Sequence, residues 1–262
     1  MFDVSLLVPE VRQTVLAAAQ VYWRHTRPWF IGLLVHGSAL KGGVIPGGSD
    51  IDLQLFLTEA AFDATGHLPL RVSVALHRAL ARIDPAPFQY IQCYALATHL
   101  PSDESQEQFR PIPGAYHLLA GTLPVPEATP QQVRERARQC LATLCPDACA
   151  IASRLLQHGG GHLERTVRAL CTDVWPTLYH LVAWQSHNPL EVWVLPKEAV
   201  IARLSVADKV LGQTIWGFYQ GVTAYYQQPH QVDEALAVLE QGVTFLQQVH
   251  ASYHGVEITD RT

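Results

Sequence analysis

Apolar and polar positions follow two different periods along this chain, and the change from one to the other divides it. Residues 8–26 place Val11, Val15, Leu16, Ala19 and Tyr22 at helical spacing, with Pro9 suited to a first turn, and predict a helix. A short, continuous apolar run over 29–36 predicts a buried strand, and 52–57 predict its neighbour. Over 70–83, Val72, Leu76, Leu80 and Ile83 fall on one stripe and predict a second helix. Residues 88–96, rich in aromatics and preceded by Pro87, predict a third strand, and 116–123 a last edge strand. The order helix, strand, strand, helix, strand gives the fold class α+β, with a mixed sheet in an N-terminal domain spanning 1–124. The polar, Pro-rich stretch 97–113 reads as a loop and a candidate cover over a site.

Prolines crowd 124–130 and mark a linker. Beyond it helical periods dominate, giving a C-terminal all-α domain over 131–262. Its helices are predicted at 131–144, 148–157, 162–185, 197–203, 207–226 and 231–254. Asn188-Pro189 ends the third of these, and Pro176 is expected to kink or split it. The chain contains no internal repeat and no low-complexity tract.

Composition narrows the picture. The 262 residues are 48% hydrophobic and 16% charged, enough for a sizeable core. The net charge of −5 argues against a nucleic-acid partner, which calls for a basic face. No apolar stretch reaches the length of a membrane span, and the N-terminus lacks a basic region followed by an apolar core. The expectation is a cytoplasmic protein whose cysteines are thiols. Composition does not address the oligomeric state.

Chemistry concentrates between the first two strands. An apolar run ends at Gly37-Ser38, a glycine-rich loop follows, and the next apolar run opens with Asp50-Ile51-Asp52. Residues two apart on a strand share a face, so the two carboxylates project together. Mg²⁺ takes one or two carboxylates plus phosphate oxygens, and backbone N–H groups wrap phosphate where glycine leaves the approach clear. Asp50 and Asp52 are therefore candidate Mg²⁺ ligands, and Gly37 and Ser38 candidate phosphate contacts. Ser49 is placed to tie the loop to the strand. Lys41 is either a triphosphate counter-charge or an exposed loop lysine.

The segment from Gly37-Ser38 to Asp50-Ile51-Asp52 resembles the nucleotidyltransferase superfamily, which shares its core with DNA polymerase beta. Within it, the segment looks most like the streptomycin/spectinomycin-type aminoglycoside adenylyltransferases. That resemblance implies a helical C-terminal domain, ATP as substrate with Mg²⁺, transfer of AMP, and a small aminoglycoside-like acceptor. It also implies that Lys197, which follows Pro196, reaches the nucleotide phosphates. The family carries a third carboxylate on the strand after the helix. The matching stretch here is Phe88-Gln89-Tyr90-Ile91-Gln92-Cys93-Tyr94 and contains no acid. Gln89 stands at the matching place, with Gln92 the other choice, and glutamine cannot take a proton. Asp103 and Glu104 in the following loop are alternative bases. Two further readings stay open: a nucleotide-binding protein without turnover, and a toxin–antitoxin type of nucleotidyltransferase that modifies a protein partner.

Other candidates carry less. Cys140, Cys145 and Cys149 lack metal-ligand spacing and read as small core residues, as do Cys93 and Cys171. His158-Gly159-Gly160-Gly161-His162 reads as an interhelical turn, and His36 as a packing residue. Trp175, Tyr179, Trp184, Trp193, Trp216, Tyr219, Tyr225 and Tyr226 enrich the helical part in aromatics, some of them candidates for an acceptor pocket. Asp173, Glu191 and Asp208 are candidates for reading acceptor amines.

Overall fold

A computed structural model of the chain describes residues 2–97, 110–144, 148–228 and 231–259. Asp103, Glu104, Cys145 and most of the expected cover over 97–113 lie outside these residues. The chain forms two compact units, 1–128 and 129–262.

In the first unit, the 3-10 turn Pro9–Val11 leads into α1 (Arg12–Thr26). Next come β1 (Phe30–His36), the short α2 (Ser38–Lys41), β2 (Asp50–Leu57), α3 (Leu70–Leu80), β3 (Tyr90–Ala97) and β4 (Tyr116–Gly121). Among the described residues the sheet has four strands in the order β3-β2-β1-β4. β1 is antiparallel to both β2 and β4, whereas β2 and β3 run parallel, so the sheet is mixed as expected.

The two faces of this sheet differ in kind. One face presents Leu33, Val35, Ile51, Leu53, Leu55 and Leu57 to Val15, Ala18, Ala19 and Tyr22 of α1 and Leu76 of α3, forming the main core. The helices cover this face because their apolar stripes match the alternate strand residues. The opposite face has a smaller cluster, Leu34, Phe56 and Leu96, with Leu118 and Val125 packed against it. Beyond that cluster, toward the start of β2, the same face turns polar.

The second unit is helical throughout its described residues: α4 (Pro130–Ala142), α5 (Ala148–Leu155), α6 (His162–Gln185), α7 (Pro189–Trp193), α8 (Lys197–Ala207), α9 (Lys209–Gln227) and α10 (Val232–Thr259). The capping box of Thr129 and Gln132 starts α4. Asp208 Oδ1 accepts from the N–H groups of Val210 and Leu211 and starts α9. Gly161, left-handed at φ 72°, precedes α6, so the triple glycine is an interhelical turn. No described helix is long and apolar enough to cross a membrane.

Several expectations are corrected. Of the two outcomes expected at Pro176, a kink or a split, the split does not occur: α6 is continuous over 24 residues, with Val174, Thr177, Leu178 and Leu181 buried along it. α2 and α7 were not foreseen, since elements this short carry too few residues for a period. β2 starts at Asp50 rather than at residue 52, β3 runs from Tyr90 to Ala97, and α8 and α10 extend past their predicted ends. Cys140 is exposed rather than core, its thiol meeting Arg136.

Candidate active site

The polar half of the open sheet face is organised by strand register. His36 of β1 pairs with Asp52 on one side and with Tyr116 on the other, and Asp52 pairs with Gln92 of β3. Register partners share a face, so Tyr116, His36, Asp52 and Gln92 form one row across all four strands. Asp50 lies two residues before Asp52 on the same face, paired with Tyr90. Both carboxylate residues are half-buried and both belong to the strand itself.

The Gly37 backbone closes over Asp52. It adopts φ 75°, and a Cβ placed there would lie 2.3 Å from Asp52 Oδ2. Only glycine meets both conditions. The chain then turns at once into α2, where Ser38 is buried and Lys41 is the last residue. Lys41 thus ends a turn of helix instead of lying in an extended loop, and its charge acts on His36.

The glycine-rich loop is tied down at its far end. Ser49 Oγ accepts from the Ile45 N–H at 2.9 Å, and Ile45 O accepts from the N–H groups of Gly48 and Ser49. Gly47 N–H donates to Pro87 O, and Gln89 N–H donates to Ser49 O, both at 2.8 Å. The Ser49 hydroxyl thus closes the loop on itself through Ile45, and its carbonyl joins the loop to the residue before β3. The same bond sets Gln89 beside the residue that precedes Asp50, while Gln92 sits alongside Asp52.

Side chains on β3 form a short ladder on this face. Tyr90 donates its hydroxyl to Gln92 Oε1 at 3.3 Å, and Gln92 Nε2 donates to the Tyr94 hydroxyl. Burial, then the charges of Asp52 and Asp50, raise the Tyr94 phenol above its usual range, although the residue is 42% exposed. Burial lowers the His36 imidazole to about 4, with Lys41 adding to the effect. His36 is therefore neutral near pH 7, and its buried Nε2 has no hydrogen-bond partner among the described residues. This row was not visible in the sequence. It follows from register, which the alternation of β1, β2 and β3 constrains but does not fix.

In the helical unit, Lys197 is the first residue of α8, and its Nζ lies 5.5 Å from the Trp175 ring centroid. Next to it, Glu198 accepts from the Tyr219 hydroxyl, and Tyr219 stacks on the exposed Trp216. Of the three acids considered for acceptor amines, Asp208 caps a helix and Glu191 accepts from Asn188 Nδ2. Asp173 lines a cavity of about 450 Å³ within this unit.

Among the described residues no group of three His, Cys, Asp or Glu side chains is arranged to hold a metal. Two carboxylates on one face, closed by a glycine with no side chain, still fit Mg²⁺, because phosphate oxygens and water complete its shell.

No protein-family model and no curated protein matches the sequence. The fold does match a solved structure, the spectinomycin adenyltransferase AAD(9) from Enterococcus faecialis with ATP and spectinomycin. The TM-score is 0.53 and the identity 11%, over 90% of this chain and 98% of that one. The shared feature is the fold: an α+β portion with a mixed sheet followed by a helical portion.

Proposed function

We propose that this chain is a nucleotidyltransferase that moves AMP from ATP onto a hydroxyl of a small, aminoglycoside-like acceptor. The observation that supports this most is the pair Asp50 and Asp52 on one strand face, with Gly37 closed against Asp52. The likeness in fold to an adenyltransferase solved with ATP and spectinomycin supports the same reading.

In this reading Asp50 and Asp52 hold Mg²⁺, and Gly37 and Ser38 contact the β- and γ-phosphates. When bound, Mg²⁺ neutralises charge on the phosphate oxygens. Ser49 holds the loop in shape, and Lys41 supplies positive charge to the triphosphate. The acceptor oxygen attacks the α-phosphorus, a new P–O bond forms, and pyrophosphate leaves with the electrons of the broken one. The hydroxyl proton leaves to a base other than Gln89 or Gln92, neither of which can accept it. Partners are thus the nucleotide and one small molecule, with no nucleic acid or membrane.

Incubation with MgATP and spectinomycin, followed by mass spectrometry of the antibiotic, tests the reading. An added AMP that vanishes in Asp50→Asn is expected. Unmodified acceptor across spectinomycin, streptomycin and related aminoglycosides counts against it.

One observation favours a second reading. Gln89, just before β3, or Gln92 within it, stands where the family carries an acid, which suits a protein that binds nucleotide without turning it over. MgATP binding with no product would select it.

A further inference from the structure

Residues 3–8 join β4 to α2. The Asp3 N–H donates to Leu119 O of β4 at 2.8 Å. His117 Nε2, on the same strand, lies 3.0 Å from Asp3 O and 3.4 Å from the Asp3 carboxylate. A turn follows, in which the Leu7 N–H donates to Val4 O, and the Leu7 side chain enters the core. The next N–H, that of Val8, donates to Ala39 O at 3.2 Å. Ala39 follows Ser38 in α2, and α2 starts directly after the glycine that closes on Asp52.

Arg12 holds this strap in shape. Its Nε donates to Leu7 O and its Nη2 to Ser5 O, each at 3.0 Å. The planar fork suits two carbonyls presented by one turn, and an ammonium cannot reproduce it. Arg12 is also the first residue of α1, where the helix dipole disfavours a cation. The two carbonyls offset that cost. At the other end of the strap, α2 has only four residues, too few to hold their own place. The N–H groups of Leu40 and Lys41 return to Gly37 O, and that of Gly42 to Ser38 O. Ala39 O is one of the carbonyls a helix end leaves unpaired, and Val8 satisfies it.

We propose that Arg12 is a positioning residue for the nucleotide: through residues 5–8 it sets α2, and with it Gly37 and Ser38, at the height the phosphates need. The inference rests on the transferase reading and deepens it, naming what holds the phosphate contacts in place. Arg12 itself touches neither phosphate nor metal. Asp50 and Asp52 belong to β2 and keep their place without the strap. Loss of the strap therefore raises KM for ATP and changes kcat little.

The test uses the full chain and three variants. Arg12→Lys keeps the charge and loses the fork. Val8→Pro removes the N–H at a φ of −57°, which suits proline. Leu76→Ala, in the core on α3, destabilises the same unit away from the strap and serves as control. Hydrogen exchange is read by mass spectrometry over 38–42 and over α3 without nucleotide, and MgATP affinity by calorimetry. Both strap variants are expected to speed exchange over 38–42 at least about tenfold and to spare α3. They weaken MgATP binding at least about fivefold. Leu76→Ala lowers the melting temperature and keeps MgATP affinity within about twofold. The wild type gives a reading that needs no variant: by reciprocity, MgATP slows exchange over 5–8, residues that do not touch it. Unchanged exchange over 38–42 in the strap variants overturns the proposal. So does flat exchange over 5–8 on adding MgATP, or an affinity loss as large in Leu76→Ala. A wild type that binds MgATP, with strap variants that bind it equally well, refutes the role of Arg12 and leaves the transferase standing. A wild type that binds no MgATP refutes the transferase, and exchange over 38–42 still decides whether the strap holds α2.

Discussion

Gly37 and Asp52 are packed so closely that a single methyl group on the glycine would sit 2.3 Å from the carboxylate Oδ2. The glycine is thus part of the wall that orients the acid. Gly37→Ala is expected to swing Asp52 away and lower turnover by at least about a hundredfold, with a fold cost of about 1–3 kcal/mol from the positive φ. Gly42 provides the control, since it has φ 80° but a Cβ there meets nothing within 4 Å. Gly42→Ala should show a comparable loss of thermal stability and keep its activity. Steady-state kinetics and thermal melts on both variants separate the two effects.

Ser49 is buried and accepts the Ile45 N–H. Ser49→Ala leaves that N–H unpaired in the interior and is expected to cost about 1–3 kcal/mol. The loop also loosens over the phosphates, so KM for ATP rises more than kcat falls. Denaturant titration reads the first effect and initial-rate kinetics the second.

Gln89 and Gln92 differ in their present duties. Gln92 bridges two tyrosine hydroxyls, whereas Gln89 is held through its backbone to Ser49. Gln89→Glu is expected to raise acceptor-dependent turnover by about tenfold or more, because a positioned base contributes in the range of about 10²–10⁴-fold when fully effective. Gln92→Ala should lower turnover by breaking the ladder beside Asp52. Equal rates for Gln89→Glu and the wild type would show that proton removal does not limit the reaction.

His36 and His180 are both neutral in the folded protein, lowered by burial to about 4 and about 3. In the unfolded chain a histidine takes its proton near pH 6.5. Between that value and the folded one the unfolded state binds more protons, so stability falls as pH drops below about 6.5. Chemical denaturation at pH 7 and pH 5 should show the loss, and His180→Leu should reduce the slope. A flat profile over this window would contradict the burial of both rings.

The sequence allowed much of this architecture to be read, for reasons that differ by element. α6 was legible over its full 24 residues because a long amphipathic period overrides one proline. The mixed sheet was legible from the order of its elements. The placement of Asp50 and Asp52 on one face followed from a period of two, which holds whatever the partner strand does. The row Tyr116, His36, Asp52, Gln92 was hidden, since it depends on three registers, two of which are broken by an irregularity. The cavity around Asp173 was hidden as well, because its lining comes from four helices that no local pattern brings together. Asp208 shows the opposite case: an acid considered for ligand contact turns out to cap a helix, and the apolar run after it already carried that signal.

Pyrophosphate release with MgATP across an aminoglycoside and aminocyclitol panel, with Asp50→Ala/Asp52→Ala as control, tests the central claim most directly. The account predicts release that requires an acceptor and disappears in the control. Release that persists without the two carboxylates, or no release with any acceptor even after Gln89→Glu, would contradict it.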